Sequence, residues 1–112
     1  MRYLANAFSL NMLSNTVHEG LLVIKKREIS KVPNNVTSIV GHQTTADVFS
    51  TVLGFPVNCN RTSFTLEEGD HLFIGQYTGP RLEEGTTKLP GGAVITWYEV
   101  WLEECCTKEE LV

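Results

Sequence analysis

The fold is decided by one apolar stretch near the end of the chain, Ala93-Val94-Ile95-Thr96-Trp97-Tyr98-Glu99-Val100-Trp101-Leu102. A transmembrane helix needs about 20 predominantly apolar residues, whereas this run is shorter and is broken by Thr96 and Glu99. Its length and its mainly apolar character instead predict a central β-strand that is buried on both faces of a sheet.

Four further segments are predicted to be strands. Residues 61–67 and 71–77 lie on either side of Glu68-Gly69-Asp70, a turn sequence, so that we expect an antiparallel hairpin. Residues 3–8 predict a first strand and residues 20–28 a second, whose charged end is typical of a protected edge strand. The sequence therefore predicts a mixed sheet of about five strands.

One helix is predicted from residue 44 onward. Apolar residues recur there at helical spacing, and Gly54 follows where a C-terminal cap is expected. Thr44 and Asp47 resemble a capping box, which places Gly41-His42-Gln43 just before the helix. Together these elements predict a single α+β domain over residues 1–112, with packed helices, a core over about residues 2–102 and an acidic tail over 103–112.

Charge and composition limit the classes of function. The formal net charge is −4, whereas nonspecific binding of a long nucleic acid relies on a basic surface. A small anion in a local pocket remains compatible with this charge, because backbone N–H groups and one or two arginines can bind it. The start of the chain does not resemble a signal peptide, and the three cysteines, Cys59, Cys105 and Cys106, are expected to be reduced thiols. We therefore expect a cytoplasmic protein that does not bind a membrane, located in the host cytosol if it is viral.

Several familiar chemistries lack their sequence motifs. The histidines His18, His42 and His71 are scattered, and the cysteines do not have the spacing of zinc ligands. The chain also lacks a P-loop, a G-x-G-x-x-G turn and a G-x-S-x-G elbow. We therefore expect neither a metal ion nor a cofactor.

Three polar clusters remain as candidates for a site: Asn6-Ala7-Phe8-Ser9-Leu10-Asn11, Gly41-His42-Gln43-Thr44-Thr45 and Arg81-Leu82-Glu83-Glu84-Gly85. Each cluster taken alone has a plain structural explanation. His42 is compatible with a loop or cap residue, the two glutamates with a solvated turn, and the Asn and Ser residues with turn formation.

Taken in this order, and with Asn60-Arg61, the clusters resemble the anti-CRISPR ring nuclease family of archaeal viruses, phages and some bacteria. The resemblance covers residues 3–85 and rests on the opening Tyr3-Leu4-Ala5-Asn6-Ala7-Phe8-Ser9-Leu10-Asn11-Met12-Leu13, on Ile39-Val40-Gly41-His42 and on the Arg81 cluster. It implies a homodimer that holds cyclic tetra-adenylate in a pocket spanning both subunits. It also implies cleavage of that ring without metal, which switches off type III CRISPR signalling.

The resemblance further implies roles for individual residues. His42 would be the catalytic acid, Arg81 a residue that contacts the ligand, and Glu84 its companion in the same loop. The nucleotide pocket would be lined by Asn6, Ser9, Asn11, Thr44, Thr45, Arg61 and Gln76. The chain departs from the family pattern in having one more residue between Gln76 and Arg81, and a short loop over residues 86–92.

The residue types agree with this chemistry. RNA is cut without metal when its own 2′-hydroxyl attacks the adjacent phosphate, and a positioned His and Arg suffice to assist that reaction. Two alternatives remain open. One is a protein that sequesters the cyclic oligoadenylate without cutting it, and the other is a small viral DNA-binding or interaction protein, which the acidic net charge disfavours.

Overall fold

Five strands form one mixed sheet, and an α-helix packs on one of its faces. The computed structural model describes residues 1–13 and 20–103. The elements follow one another as β1 (Arg2–Ala5), β2 (Leu22–Arg27), β3 (Thr37–Ser38), α1 (Gln43–Leu53), β4 (His71–Thr78) and β5 (Val94–Leu102), with short 3₁₀ turns at Leu10–Met12 and Ile29–Lys31. The predicted α+β fold with about five strands is confirmed. The tail beyond residue 103 lies outside the described residues.

The sheet has the strand order β2-β5-β4-β1-β3. β1 runs parallel to both of its neighbours, β3 and β4, whereas β5 is antiparallel to β2 and β4. The carboxyl ends of the three parallel strands β1, β3 and β4 therefore lie at the same edge of the sheet. The segments that follow β1 and β3 begin at this edge. This edge is where α/β proteins commonly place ligands.

Two apolar clusters form the core, one on each face of the sheet. On the side of α1, Phe49 packs with Phe73 and Trp97, and on the opposite side Leu66 packs with Leu72 and with other buried residues. Because side chains alternate along a strand, β5 contributes Trp97 to the first cluster and Val100 to the second. The prediction that residues 93–102 form a central strand is confirmed for Val94–Leu102, and Trp97 and Val100 are buried on opposite faces, but Val94 is exposed and Tyr98 is only partly buried.

Gly75 in β4 makes room for the aromatic part of the core. The rings of Phe49 and Trp97 lie with their centroids 5.0 Å apart. A Cβ atom at Gly75 would lie 2.5 Å from Trp97 Cζ3 and 2.6 Å from Phe49 Cζ. A larger residue would push these rings away from the strand, so the packing of α1 on the sheet requires glycine here.

The helix ends as predicted but begins differently. Gly54 has φ 80° and donates its N–H to Ser50 O at 3.0 Å, which confirms the C-terminal cap. The predicted Thr44 and Asp47 capping box is wrong, because the helix begins one residue earlier and His42 occupies the N-cap position. Asp47 Oδ1 instead accepts a hydrogen bond from Gln43 Nε2 at 2.8 Å.

The predicted hairpin of residues 61–67 with residues 71–77 is wrong as well. Within residues 61–67 only Leu66 makes a β-bridge, and its partner is Leu13. β4 has no free edge for this segment because β1 and β5 pair with both of its sides. The alternating pattern instead reflects Phe64 and Leu66, which pack on the sheet face opposite α1. The short β3 takes the fifth place in the sheet, and the first strand ends at Ala5 rather than at residue 8.

Candidate functional site

A groove at the N-terminus of α1 brings together two of the three polar clusters. It is lined by His42, Gln43, Thr44, Thr45, Asp47, Arg81, Leu82, Glu84 and Gly85, and its volume is about 690 Å³. We call it the His42 groove. Its walls are the first turn of α1 and the loop that follows β4. The structure therefore places His42, Thr44 and Thr45 in one groove with Arg81 and Glu84.

The helix N-terminus supplies hydrogen-bond donors to this groove. Ala46 N–H donates to His42 O at 3.0 Å, which closes the first helical turn. The N–H groups of the residues before Ala46 have no acceptor within the helix, as at any helix start. The His42 side chain does not bond to them either, and it is exposed. Free N–H groups and the helix dipole together favour an anion at this position.

The groove contains side chains of both charges. Arg81 is exposed and has no hydrogen-bond or ion-pair partner among the described residues, so that its guanidinium is available to a ligand. Glu84 lies in the same loop, and Asp47 is held by Gln43 on the helix. Such a mixture suits a small ligand that has phosphate groups as well as hydrogen-bond donors. It is less suited to a long polyanion.

The backbone before His42 is held by a network of four hydrogen bonds. Asn60 donates its backbone N–H to Val40 O at 2.7 Å and its side-chain Nδ2 to Ser38 O at 2.9 Å. Ser38 Oγ donates to Asn58 O at 2.5 Å and accepts from Val40 N at 3.2 Å. These bonds bind the 58–60 segment to the end of β3. Nothing in the sequence pattern indicated that Ser38 holds this contact.

Arg61 lies next to this network but outside the His42 groove. A Cβ atom at Gly41 would lie 3.5 Å from Arg61 Cγ, so the Arg61 side chain passes directly over the residue before His42. Gly41 thus allows the arginine to approach the backbone. The structure brings Arg61 close to the predicted catalytic residue, although the arginine does not line the groove.

A second cavity lies on the sheet face opposite α1. It has a volume of about 450 Å³ and is lined by Asn6, Ala7, Phe8, Ile24, Ile74, Gln76, Tyr98 and Val100. We call it the sheet-face cavity. It brings together Asn6 and Gln76 of the predicted pocket and adds Tyr98, which the sequence interpretation did not single out. Ser9 and Asn11 are exposed on the segment that follows and line neither cavity.

The other described histidine belongs to a separate ionic cluster. His71 Nδ1 lies 2.6 Å from Glu99 Oε2, and Arg27 Nε donates to Glu99 Oε1 at 2.9 Å. These residues hold the beginning of β4 to β5 and β2. Over residues 1–13 and 20–103, no three His, Cys, Asp or Glu side chains are grouped as metal ligands. The same residues include no helix long and apolar enough to cross a membrane.

Comparisons with known proteins agree with the fold and cover the candidate site. The sequence profile of the family described as STIV B116-like matches residues 2–90. The structure is similar to that of B116 of Sulfolobus turreted icosahedral virus, with a TM-score of 0.70 and 26% sequence identity over 89% of this chain and 97% of that chain. A search of the curated proteins found no match. Because the profile spans most of the chain, including every residue that lines the His42 groove, the chain belongs to the STIV B116-like family, which is named for a viral protein.

Proposed function

We propose that this protein is a metal-independent ring nuclease that binds cyclic tetra-adenylate and cleaves it, which switches off type III CRISPR signalling. The observation that supports this proposal most strongly is the His42 groove. In it, His42 at a helix N-terminus lines the same groove as Arg81 and Glu84, which belong to a loop distant in the sequence. Each of these groups has a defined task in the cleavage of RNA by its own 2′-hydroxyl.

The proposed reaction begins when a ribose 2′-oxygen of the ring attacks the adjacent phosphorus. A new P–O bond forms to the 2′-oxygen, and the bond from phosphorus to the 5′-oxygen of the next nucleotide breaks. The protonated imidazole of His42 donates a proton to the departing 5′-oxygen. The Glu84 carboxylate, in the same groove, accepts the proton that the attacking 2′-hydroxyl loses. The products end in a 2′,3′-cyclic phosphate and a 5′-hydroxyl.

Arg81 and the start of α1 stabilise the charge that develops on phosphorus. The transition state has more negative charge on its phosphoryl oxygens than the ring has, so donors aimed at those oxygens lower the barrier. The Arg81 guanidinium can donate two parallel hydrogen bonds to a phosphate. The free N–H groups of the first turn of α1 add neutral donors, which bind an anion without a basic surface.

A homodimer completes the proposed site. The His42 groove and the sheet-face cavity are open, and one chain of this size does not enclose a ring of four nucleotides. The ring has two-fold symmetry, which a two-fold dimer matches. Apolar side chains stay uncovered in and near the sheet-face cavity, since Ile24 is 56% exposed and Leu10 76%. Burial of this surface against a second copy would stabilise the dimer. Light scattering should show a dimer at micromolar concentration, and a monomer both with and without ligand would contradict the proposal.

The test is incubation of the purified protein with cyclic tri-, tetra- and hexa-adenylate in excess EDTA, followed by mass spectrometry. Two transesterifications of the tetra-adenylate ring produce two di-adenylates, each with half the mass of the ring and with no water added. The His42→Ala variant serves as the control against a contaminating nuclease. Activity that EDTA abolishes would contradict the metal-independent mechanism.

The same experiment distinguishes the alternatives. Binding of intact cyclic tetra-adenylate by the parent protein, without products, would indicate a sequestering protein. If none of the rings is bound or cut, the proposal is wrong. Titration of a fluorescent DNA duplex at low and moderate salt would then test the DNA-binding alternative, because nonspecific binding weakens steeply with salt.

A further inference from the structure

The chain turns sharply at the end of β4, and the loop that contains Arg81 begins there. This corner, residues 77–80, is held on both sides. This Arg81 loop, residues 79–93, connects β4 to β5. On one side of the corner, the hydroxyl of Tyr77 donates a hydrogen bond to the carbonyl oxygen of Pro80. Tyr77 belongs to the paired part of β4, opposite Ile95 of β5, so its backbone is fixed by the sheet. The bond thus connects the first turn of the loop to a rigid element.

On the other side, Gly79 packs against the last residue of the loop. A Cβ atom at Gly79 would lie 2.7 Å from Ala93 Cβ and 2.9 Å from Ala93 Cα, and 3.1 Å from the hydroxyl oxygen of Tyr77. The two ends of the loop therefore touch at a point where no side chain fits. Pro80 follows with a φ angle that its ring restricts. The Tyr77 hydrogen bond, the Gly79 contact and the Pro80 ring together fix the direction of the backbone at Arg81.

Beyond this corner, little else holds the arginine. The loop makes two backbone turn bonds, from Thr86 N to Glu83 O at 3.0 Å and from Ala93 N to Pro90 O at 3.1 Å, and neither involves Arg81. The Arg81 side chain has no described hydrogen-bond or ion-pair partner. The place of its guanidinium in the His42 groove is thus determined mainly by the backbone that the corner directs.

We infer that Tyr77 is a positioning residue, whose hydroxyl holds the Arg81 loop so that the guanidinium faces the N-terminus of α1. Tyr77 does not line the His42 groove, and it acts only through the loop. The consequence for catalysis rests on the proposed function, because it requires that Arg81 contacts a phosphate. A displacement of about 1 Å at a reacting group can reduce a rate by about a hundredfold. We expect loss of the hydroxyl to reduce the cleavage rate by about ten- to a hundredfold, with a smaller effect on ring affinity.

The first test measures the loop without any ligand. Tyr77→Phe removes only the hydroxyl, and Tyr3→Phe is the matched control. Tyr3 packs its ring on Phe64, with centroids 4.7 Å apart, and its hydroxyl has no described partner. NMR order parameters should fall at Arg81 and Leu82 in Tyr77→Phe and stay at the parent values in Tyr3→Phe. Unchanged order parameters in Tyr77→Phe would overturn the inference, whether or not the protein cuts the ring.

The second test is a double-mutant cycle with single-turnover cleavage of cyclic tetra-adenylate. If Tyr77 acts through Arg81, Tyr77→Phe should slow cleavage about ten- to a hundredfold in the parent protein. In the Arg81→Lys background the same substitution should slow cleavage less than twofold, because the forked geometry of the guanidinium is already lost there. Equal losses in the two backgrounds would overturn the inference, since they would show an effect independent of the arginine. If the parent neither binds nor cuts the ring, the proposed function is wrong, and the order parameters decide the inference by themselves.

Discussion

Replacement of His42 by alanine separates a catalytic role of this residue from a structural one. His42 occupies the N-cap position of α1, yet its side chain makes no capping hydrogen bond and is exposed. An N-cap side chain that does make this bond contributes about 1 kcal/mol, which corresponds to about 4–8 °C in Tm for a small domain. We therefore expect His42→Ala to change the free energy of unfolding by less than about 0.5 kcal/mol and Tm by at most about 4 °C.

The effect on the rate should be far larger. General-acid catalysis contributes about two to four orders of magnitude, which is about 3–6 kcal/mol of transition-state stabilisation at about 1.4 kcal/mol per factor of ten. The assay is single-turnover cleavage of cyclic tetra-adenylate in EDTA, together with a binding titration. Affinity should stay within about threefold of the parent, because Arg81 and the N–H groups of α1 still bind the ring.

His71→Ala is a matched control for this experiment. It also removes an imidazole, but one that lies 2.6 Å from Glu99 and outside the His42 groove. We expect this control to lose about 1 kcal/mol of stability and to retain the parent rate per folded molecule. Parent-like cleavage by His42→Ala would refute the proposed role of His42. A large drop in its Tm with an unchanged rate per folded molecule would show that the residue is structural after all.

Three further substitutions test the site and the fold. Arg81→Ala should weaken ring binding or slow cleavage by at least tenfold, since a guanidinium bound to phosphate contributes about 1.5–3 kcal/mol; changes within twofold in both would contradict this. Gly75→Ala should lower the free energy of unfolding by about 1–3 kcal/mol, measured by urea denaturation, because the nearest ring atom lies 2.5 Å from the added methyl group. Asn60→Ala should reduce ring affinity because its side chain holds the backbone that leads to His42, whereas Asn58→Ala, which removes no described side-chain bond, should bind like the parent; equal affinities of both variants would refute this.

The strands and the helix were predictable where a single periodic pattern determined them. The run that became β5 is apolar because neighbours cover both of its faces, and the helix ends at Gly54 because only glycine readily adopts its positive φ. The prediction failed for residues 61–67, whose alternation resembles that of a strand. Burial of Phe64 and Leu66 on the sheet produces the same alternation in an irregular segment, and the sequence cannot indicate that both edges of β4 are occupied.

The candidate site, too, was predictable from the sequence only in part. The sequence indicated His42, Arg81 and Glu84 through short polar clusters, and the structure places all three in one groove. The contacts that position them were not predictable, because they join residues whose types are common in turns. Ser38 and Asn60 meet only because β3 lies at the sheet edge, and Tyr77 reaches Pro80 only because of the corner that follows β4. Such contacts depend on tertiary geometry, which local patterns do not contain.

The place of β1 in the sheet has a consequence for how the chain folds. Arg2 pairs with His71, about 70 positions later, and Leu22 pairs with Leu102, about 80 positions later. Among the five strands of residues 1–13 and 20–103, only β4 and β5 are neighbours in both sequence and sheet, so their hairpin is the one pair of these strands that can form locally. Closure of such long loops costs entropy before any contact compensates for it, and folds of this kind assemble in about milliseconds to seconds. During synthesis, β1 leaves the ribosome long before β4 exists, and its backbone groups stay unpaired with that strand until most of the chain has emerged.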